Sequence, residues 1–250
     1  MTQRIPKTIH YVWLGGGALD ELSLRCLESW SKVLPEYRVI RWDEENAMET
    51  ILSNEFAREA YEARKYAFVS DYLRLLVLYR EGGVYMDTDV EVIKPLDEFL
   101  GFGAFTSFEG GSCIPTALMA AEKGNGWIKL LLDYYDGRHF LLPGGKQDTT
   151  TNVSIITRLS GPLGFIPNGR YQILEHDVHI YPMEYFCPLD LSVRKLRITE
   201  NTHAIHHYNA SWVPKWRRLL SRAFALVPIR DKRAKLRRIA RFFAPRSGRK

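Results

Sequence analysis

The sequence predicts an α/β layered domain, and three observations carry that prediction. Short β-type runs alternate with helical stretches along most of the chain. Residues 63–81 form a helix-length stretch without Pro or Gly, stopped by Gly82-Gly83. At 250 residues, 46% hydrophobic and 26% charged, the chain has the length and composition for one sizeable core plus an appendage. Disorder, collagen and coiled coil are excluded on the same grounds.

The elements follow in order. Ile5 to Leu14 (IPKTIHYVWL) reads as a strand ended by Gly15-Gly16-Gly17, and Asp20 then caps a helix to about Trp30. Arg38 to Trp42 alternates as a second strand, and residues 44–62 read as helical. After the 63–81 helix, Val84 to Ile93 (VYMDTDVEVI) reads as a strand with acids embedded in it, ended by Pro95. Gly101 to Phe108 suggests another strand, Ala117–Glu122 and Trp127–Tyr135 helices, 137–152 a polar loop, and 153–159 a helix. Residues 165–187 hold short strands, and Thr202–Trp212 a strand running into a loop. There is no internal repeat.

The acidic strand is the strongest chemical signal. Residues i and i+2 of a strand point the same way, so Asp87 and Asp89 should project together from apolar surroundings. Two such carboxylates are costly unless a cation meets them, and Mg²⁺ or Mn²⁺ bridging substrate phosphates would answer that cost. The alternative is an edge strand whose acids face water or pair with Lys and Arg. Upstream, Asp71 and Arg74 are three apart on the expected helix, hence neighbours, in an apolar setting that implies a partly buried pair. Such a couple would suit a sugar-nucleotide, carboxylate to hydroxyl and guanidinium to phosphate or sugar oxygen; the plain alternative is an intrahelical ion pair.

The run Ala67 to Pro95 (AFVSDYLRLLVLYREGGVYMDTDVEVIKP) resembles the signature of glycosyltransferases with a DXD sugar-binding region. That family, glycosyltransferase family 32, groups capsular-polysaccharide enzymes with the yeast initiating α-1,6-mannosyltransferase. The α-1,4-galactosyltransferases and clostridial glucosylating toxins are more distant relatives. Ile5–Trp13 resembles its opening strand; Trp30, Pro35, Tyr37 and Trp42 its "SW…P.Y…W" element; Ser160-Gly161-Pro162 its "TGP" turn; and His206–Trp212 (HHYNASW) its closing "HH…GSW". The resemblance covers roughly residues 5–213.

It implies a GT-A-type fold, a single nucleotide-binding sandwich with a mostly parallel sheet. It also implies a divalent metal (Mn²⁺ or Mg²⁺), a nucleotide-sugar donor (a UDP-sugar), a saccharide acceptor and retention of configuration. On this resemblance Trp13 would lie near the nucleotide base, although a core aromatic is an equal reading. Asp71 and Arg74 would hold the donor sugar and ribose, Asp87 and Asp89 the metal and diphosphate, and Ser211 and Trp212 would close over the diphosphate. His206 and His207 face opposite sides of a strand, so one of them is expected at the site. His207 is preferred as metal ligand because His-Tyr-Asn-Ala resembles a metal-binding turn of related retaining galactosyltransferases. His10 reads as structural. No residue stands out as a nucleophile, and front-face attack is expected over double displacement. Asp148 and Glu109 are candidates for acceptor contact or a lid.

Charge is uneven. The net +6 comes from 35 basic and 29 acidic residues, yet 215–250 holds 14 of the basic ones and a single acid, Asp231. There Trp216, Leu219, Leu220, Ala223, Phe224 and Val227, then Leu236, Ile239, Ala240 and Phe243, recur at helical spacing among Lys and Arg. The expected organisation is therefore a glycosyltransferase domain, 1–213, and a basic amphipathic tail, 214–250, that binds an anionic membrane surface. A helix packed on the domain with a solvated basic face is the alternative, and a nucleic-acid tail is disfavoured by the regular apolar positions. No apolar run reaches a membrane span, and Cys26, Cys113 and Cys187 fit neither a zinc pattern nor a disulfide framework. The expected place is the cytoplasmic face of a membrane, where lipid-linked acceptors for surface polysaccharide would be met. Two rivals stay open: a non-catalytic nucleotide-sugar or carbohydrate-binding protein, and a toxin-like protein glycosyltransferase.

Overall fold

The computed structural model describes residues 2–191, 193 and 195–209. The expected tail helices, Ala210, Ser211 and Trp212 lie outside the described residues. In chain order the elements are β1 (Thr8–Val12), α1 (Glu21–Val33), β2 (Arg38–Trp42), α2 (Glu44–Leu52), α3 (Glu55–Glu62), α4 (Tyr66–Glu81), β3 (Gly83–Met86) and β4 (Val90–Val92). They continue with β5 (Ala104–Ser107), β6 (Leu118–Ala121), α5 (Gly126–Asp133), β7 (Leu141–Leu142), β8 (Lys146–Gln147), α6 (Asn152–Ser160), β9 (Gln172–Leu174), β10 (Val178–Tyr181), β11 (Leu189–Asp190), β12 (Lys195–Leu196) and β13 (Ala204–His206).

Seven strands make the central sheet in the order β2-β1-β3-β6-β5-β10-β9. β2, β1, β3, β5 and β10 run one way, while β6 and β9 run against them. The expected mostly parallel α/β sheet is the fold observed. The two-residue period of the strands divides the core. Val84 and Met86 of β3 join a core with Trp30 of α1, and Tyr85 joins the opposite core with α4, α5 and α6. Among the described residues no helix is long and apolar enough to cross a membrane.

The sheet's centre depends on Gly82-Gly83. Both have positive φ, and a Cβ on Gly83 would lie 2.5 Å from the Thr8 carbonyl oxygen. Only glycine lets α4 turn back this sharply into a strand hydrogen-bonded beside β1. His10 is structural, as expected. Trp42 can only donate, so its Nε1–H donates to His10 Nδ1 at 3.1 Å and His10 Nε2–H donates to the Gly82 carbonyl at 2.9 Å. Burial lowers the His10 pKa.

The structure corrects three expected elements. Residues 44–62 are two helices, because the Asn54 side chain accepts from Ala57 N at 3.0 Å and starts α3 afresh. Leu118–Ala121, expected as helix, is β6: all four residues are buried between β3 and β5, and the ladder overrides the helical preference of Leu, Met and Ala. The expected Val84–Ile93 strand is broken in the middle. Val90 N donates to the Asp87 carbonyl at 3.0 Å, so Asp87-Thr88-Asp89 forms a turn between β3 and β4.

Candidate functional site

β1, β3 and β5 run parallel to one another, and the chemistry-bearing residues gather where they end. Open α/β sheets characteristically take ligands at this carboxyl edge. Asp87 follows β3, Glu109 follows β5 by two residues, and Trp13 follows β1 directly. Asp87 continues the parity of Tyr85, and the Tyr85 hydroxyl donates to Asp87 Oδ1 at 2.9 Å. Thr88 turns to the other side, where its hydroxyl is 3.4 Å from Ser23 Oγ of α1.

Arg74 organises the α4 side. Its side chain is only 4% exposed, and its Nη2 lies 3.0 Å from Asp71 Oδ1, with Nη1 3.6 Å from Asp87 Oδ1. It also donates to the Thr116 carbonyl at 2.7 Å and to the Ser70 carbonyl and hydroxyl at 3.2 Å, and it lies over the Tyr85 ring at 4.6 Å. Burial alone would lower the guanidinium pKa, but Asp87, Tyr85 and Asp71 outweigh it and the net direction is up. Burial pushes Asp71 up to about 6, against the pull of Arg74, and burial also raises Asp87 despite the same neighbour. One cation thus stands between two acids with too little charge for both. Both contacts on Asp87 use Oδ1, leaving Oδ2 outside them.

The closing segment completes the cluster from the other side. β13 pairs antiparallel with β4 in the register His206↔Val90. Beyond it His207 N donates to the Asp89 carbonyl at 3.0 Å and Asn209 N to Asp89 Oδ2 at 2.7 Å. His206 Nε2 lies 3.5 Å from Asp89 Oδ1. Asp87, Asp89 and His206 each offer a donor atom within 4.8 Å of the others. Two hard carboxylate oxygens and one imidazole nitrogen fit Mn²⁺ or Mg²⁺ chemistry.

His207, the expected ligand, is placed elsewhere: its Nε2 pairs with Glu91 Oε2 at 2.8 Å. The alternation of the short strand sends its ring to β4 and not to the acidic turn. Trp13 is half-buried against the α1-side core and donates from Nε1 to the Gly17 carbonyl at 2.6 Å, a core contact and a rim position in one side chain. Asp148 accepts from Thr150 N at 3.0 Å and from Thr150 Oγ1 at 2.6 Å, shaping the turn before α6.

Four neighbours carried little or no sequence signal for this place. Asn152, at the start of α6 and buried, donates to the Asp71 carbonyl at 3.2 Å and accepts from the Tyr135 hydroxyl at 3.3 Å. Tyr208, at φ +52, sets its ring centroid 3.9 Å from that of His206, tilted by 33°, and places its hydroxyl 2.9 Å from Cys187 Sγ. Glu109 is held up in pKa by burial and faces His206, Tyr208 and Asp87. Burial also pushes the Cys187 thiol up to about 12. Of these four, the sequence marks Glu109, as an acceptor contact or lid, and Tyr208, as part of the closing HHYNASW element.

Residues 20–106 match the family model described as glycosyltransferase sugar-binding region containing DXD motif. The chain is 32% identical over 217 residues to the uncharacterized glycosyltransferase L373 of Acanthamoeba polyphaga mimivirus, covering 84% of each protein. It is 28% identical over 126 residues to inositol phosphoceramide mannosyltransferase 3 of Schizosaccharomyces pombe, a stretch that covers 50% of this chain and 35% of that protein. Among solved structures, the PaToxG glycosyltransferase superposes with a TM-score of 0.47 at 22% identity, covering 65% of this chain and 72% of the other.

Proposed function

This chain belongs to the family of glycosyltransferases whose sugar-binding region contains a DXD motif, and from that premise we propose that it transfers a sugar from a UDP-sugar to a saccharide acceptor with retention of configuration. The acceptor in this reading is lipid-linked and serves surface or capsular polysaccharide synthesis. The reading rests on one observation above all: Asp87, Asp89 and His206, separate in sequence, bring donor atoms within 4.8 Å of one another.

A Mn²⁺ or Mg²⁺ held by Asp87, Asp89 and His206 would stabilise the charge that builds on a leaving diphosphate. Asp71 accepts from donor-sugar hydroxyls, and Arg74 keeps that carboxylate ionised and oriented from 3.0 Å. Trp13 is assigned to the nucleotide base; Ser211 and Trp212, expected over the diphosphate, lie outside the described residues. Asp71 is committed to Arg74, and Glu109 faces the Tyr208 hydroxyl. Neither is poised as a nucleophile, which supports front-face attack. The division into 1–213 and 214–250, with the basic tail on the inner face of a membrane, belongs to the same proposal.

The test is a panel of nucleotide-sugars scored by thermal unfolding. One UDP-sugar with Mn²⁺ should raise the midpoint by roughly 5–10 °C at saturation, and a chelator should remove the shift. If no donor shifts the midpoint with any divalent metal, the proposal fails. Repeating the measurement against pH adds a second expectation. Asp71 titrates at about 6, so donor binding should weaken as the pH falls through that value, because the protonated carboxyl ceases to be a pure acceptor. In Asp71→Asn that acid limb should be absent.

The histidines can be separated directly. His206→Ala should weaken Mn²⁺ affinity by about 10-fold or more. His207→Ala should leave it within about twofold, since it costs a half-buried pairing with Glu91 away from the Asp87–Asp89 turn. Calorimetric titration of Mn²⁺ into both variants reads the difference, and the reverse ranking would restore His207 as the ligand.

A further inference from the structure

The described residues include thirteen large exposed apolar side chains, and four of them fall within eight positions of one hairpin: Leu191 (52% exposed), Val193 (61%), Leu196 (43%) and Ile198 (57%). Apolar residues scattered singly over a surface need no explanation, but a cluster does. The hairpin is β11–β12, with Leu189 opposite Leu196 and Asp190 opposite Lys195, and Arg197 N donating to the Pro188 carbonyl at 3.1 Å. Alternation therefore separates its faces. Leu196 and Ile198 share one face, and Lys195 and Arg197 the other. Lys195 and Arg197 are exposed. From Leu189 to Thr199 the hairpin has three basic residues, Arg194, Lys195 and Arg197, against one acid, Asp190, which stands opposite Lys195.

We propose that this hairpin is a membrane-contact element, whose apolar side chains enter the interface of an anionic bilayer while Lys195 and Arg197 meet lipid phosphates. Charge selects this occupant. Residues 215–250 carry 14 basic residues and one acid, so charge does not draw that segment to a basic hairpin. Nor does it draw a second copy of the hairpin. An acidic protein or nucleic acid would satisfy the cations but give no reason for four exposed aliphatic side chains beside them. Apolar tip and basic flank together are the composition of an interfacial anchor.

The hairpin's place supports the assignment. It springs from Cys187-Pro188, and Cys187 Sγ lies 2.9 Å from the hydroxyl of Tyr208, whose ring lies against His206. Docking through the hairpin would bring the wall of the candidate site to the lipid surface. This extends the membrane part of the proposed function, and rests on it only for the identity of the surface.

The experiment uses the full chain carrying Val193→Cys in a Cys113→Ser background, labelled with an environment-sensitive fluorophore; Cys26 and Cys187 are buried. Vesicles are phosphatidylcholine alone, or phosphatidylcholine with phosphatidylglycerol. The expected result is a blue shift and loss of iodide quenching with the anionic vesicles only. Lys195→Glu/Arg197→Glu should weaken the partitioning by about 10-fold or more. Metal-dependent donor stabilisation should be unchanged in these variants, which keeps the enzyme reading separately testable. If the protein sediments with anionic vesicles while the label stays fully quenchable, the hairpin assignment is overturned and the tail alone accounts for binding. If it does not sediment, both membrane elements are overturned. A label already shielded without vesicles overturns the assignment too, because the chain or a second copy then covers the hairpin.

Discussion

Asp87→Asn and Asp89→Asn are each expected to lower glycosyl transfer on the order of 10³-fold while leaving the fold in place. Both substitutions keep the side chain's size and one carbonyl oxygen. Asn at 87 still accepts from the Tyr85 hydroxyl, and Asn at 89 still accepts from Asn209 N, the contacts these positions make at 2.9 and 2.7 Å. What disappears is charge at the point where a dication and a diphosphate would meet. The Mn²⁺-dependent rise in unfolding midpoint should vanish with activity, whereas the unfolding midpoint of the free protein should stay close to wild type or rise. At Asp87, removing a carboxylate that burial has pushed up in pKa relieves an unfavourable charge. Near-normal turnover in either variant, measured with the donor that the panel identifies, would sink the role assigned to the pair.

The second large effect concerns stability. Arg74 lies between Asp71 and Asp87 with almost no exposure, and Arg74→Ala would leave both acids beside an unfilled cationic position. Removing one partner of a buried ion pair typically costs about 3–5 kcal/mol, which in a chain of this size is on the order of 10 °C in midpoint. The sign with pH follows from the direction of the Asp71 shift. Its folded pKa, about 6, stands above the ordinary value of 3.8, so ionised Asp71 opposes folding and the penalty grows as pH rises from the lower value to the higher. Without Arg74 the folded pKa climbs further and the penalty extends to higher pH. Arg74→Ala should therefore lose most stability near pH 8 and much less near pH 5. Arg74→Lys should recover only part, since an ammonium cannot span the Thr116 carbonyl, the Ser70 oxygens and both acids at once. Wild-type stability of Arg74→Ala at pH 8, read by calorimetry, would show that the guanidinium is dispensable to the fold.

The two helix residues were legible because helical geometry is local. Positions three apart are neighbours wherever the helix goes, and Asp71 and Arg74 do lie 3.0 Å apart. The acidic pair was legible as a pair but not as a shape. Strand alternation led to the expectation of parallel side chains, whereas the hydrogen bond from Val90 N to the Asp87 carbonyl makes a turn, and convergence arises from the turn. The choice between His206 and His207 was not legible at all. It depends on how β13 registers against β4, 116 residues earlier by the pairing His206↔Val90, and one step of register exchanges the two rings. Asn152 reached the Asp71 carbonyl for the same reason, through a contact between the start of α6 and α4, 81 residues apart in the chain.

By itself, then, the sequence determined what neighbours in the chain can determine: the alternation of strands and helices, the glycine stop after α4, the Asp71–Arg74 spacing, the DXD tripeptide, and a basic tail set against an acidic body. Those features follow from backbone periodicity and composition, which act over a few residues. Tertiary structure alone decided that Leu118–Ala121 is a strand, that His206 and not His207 meets the acids, and that Cys187, Tyr208 and Glu109 wall the same place. These are long-range pairings, fixed by which buried faces and hydrogen-bonding edges satisfy one another once the whole sheet has assembled.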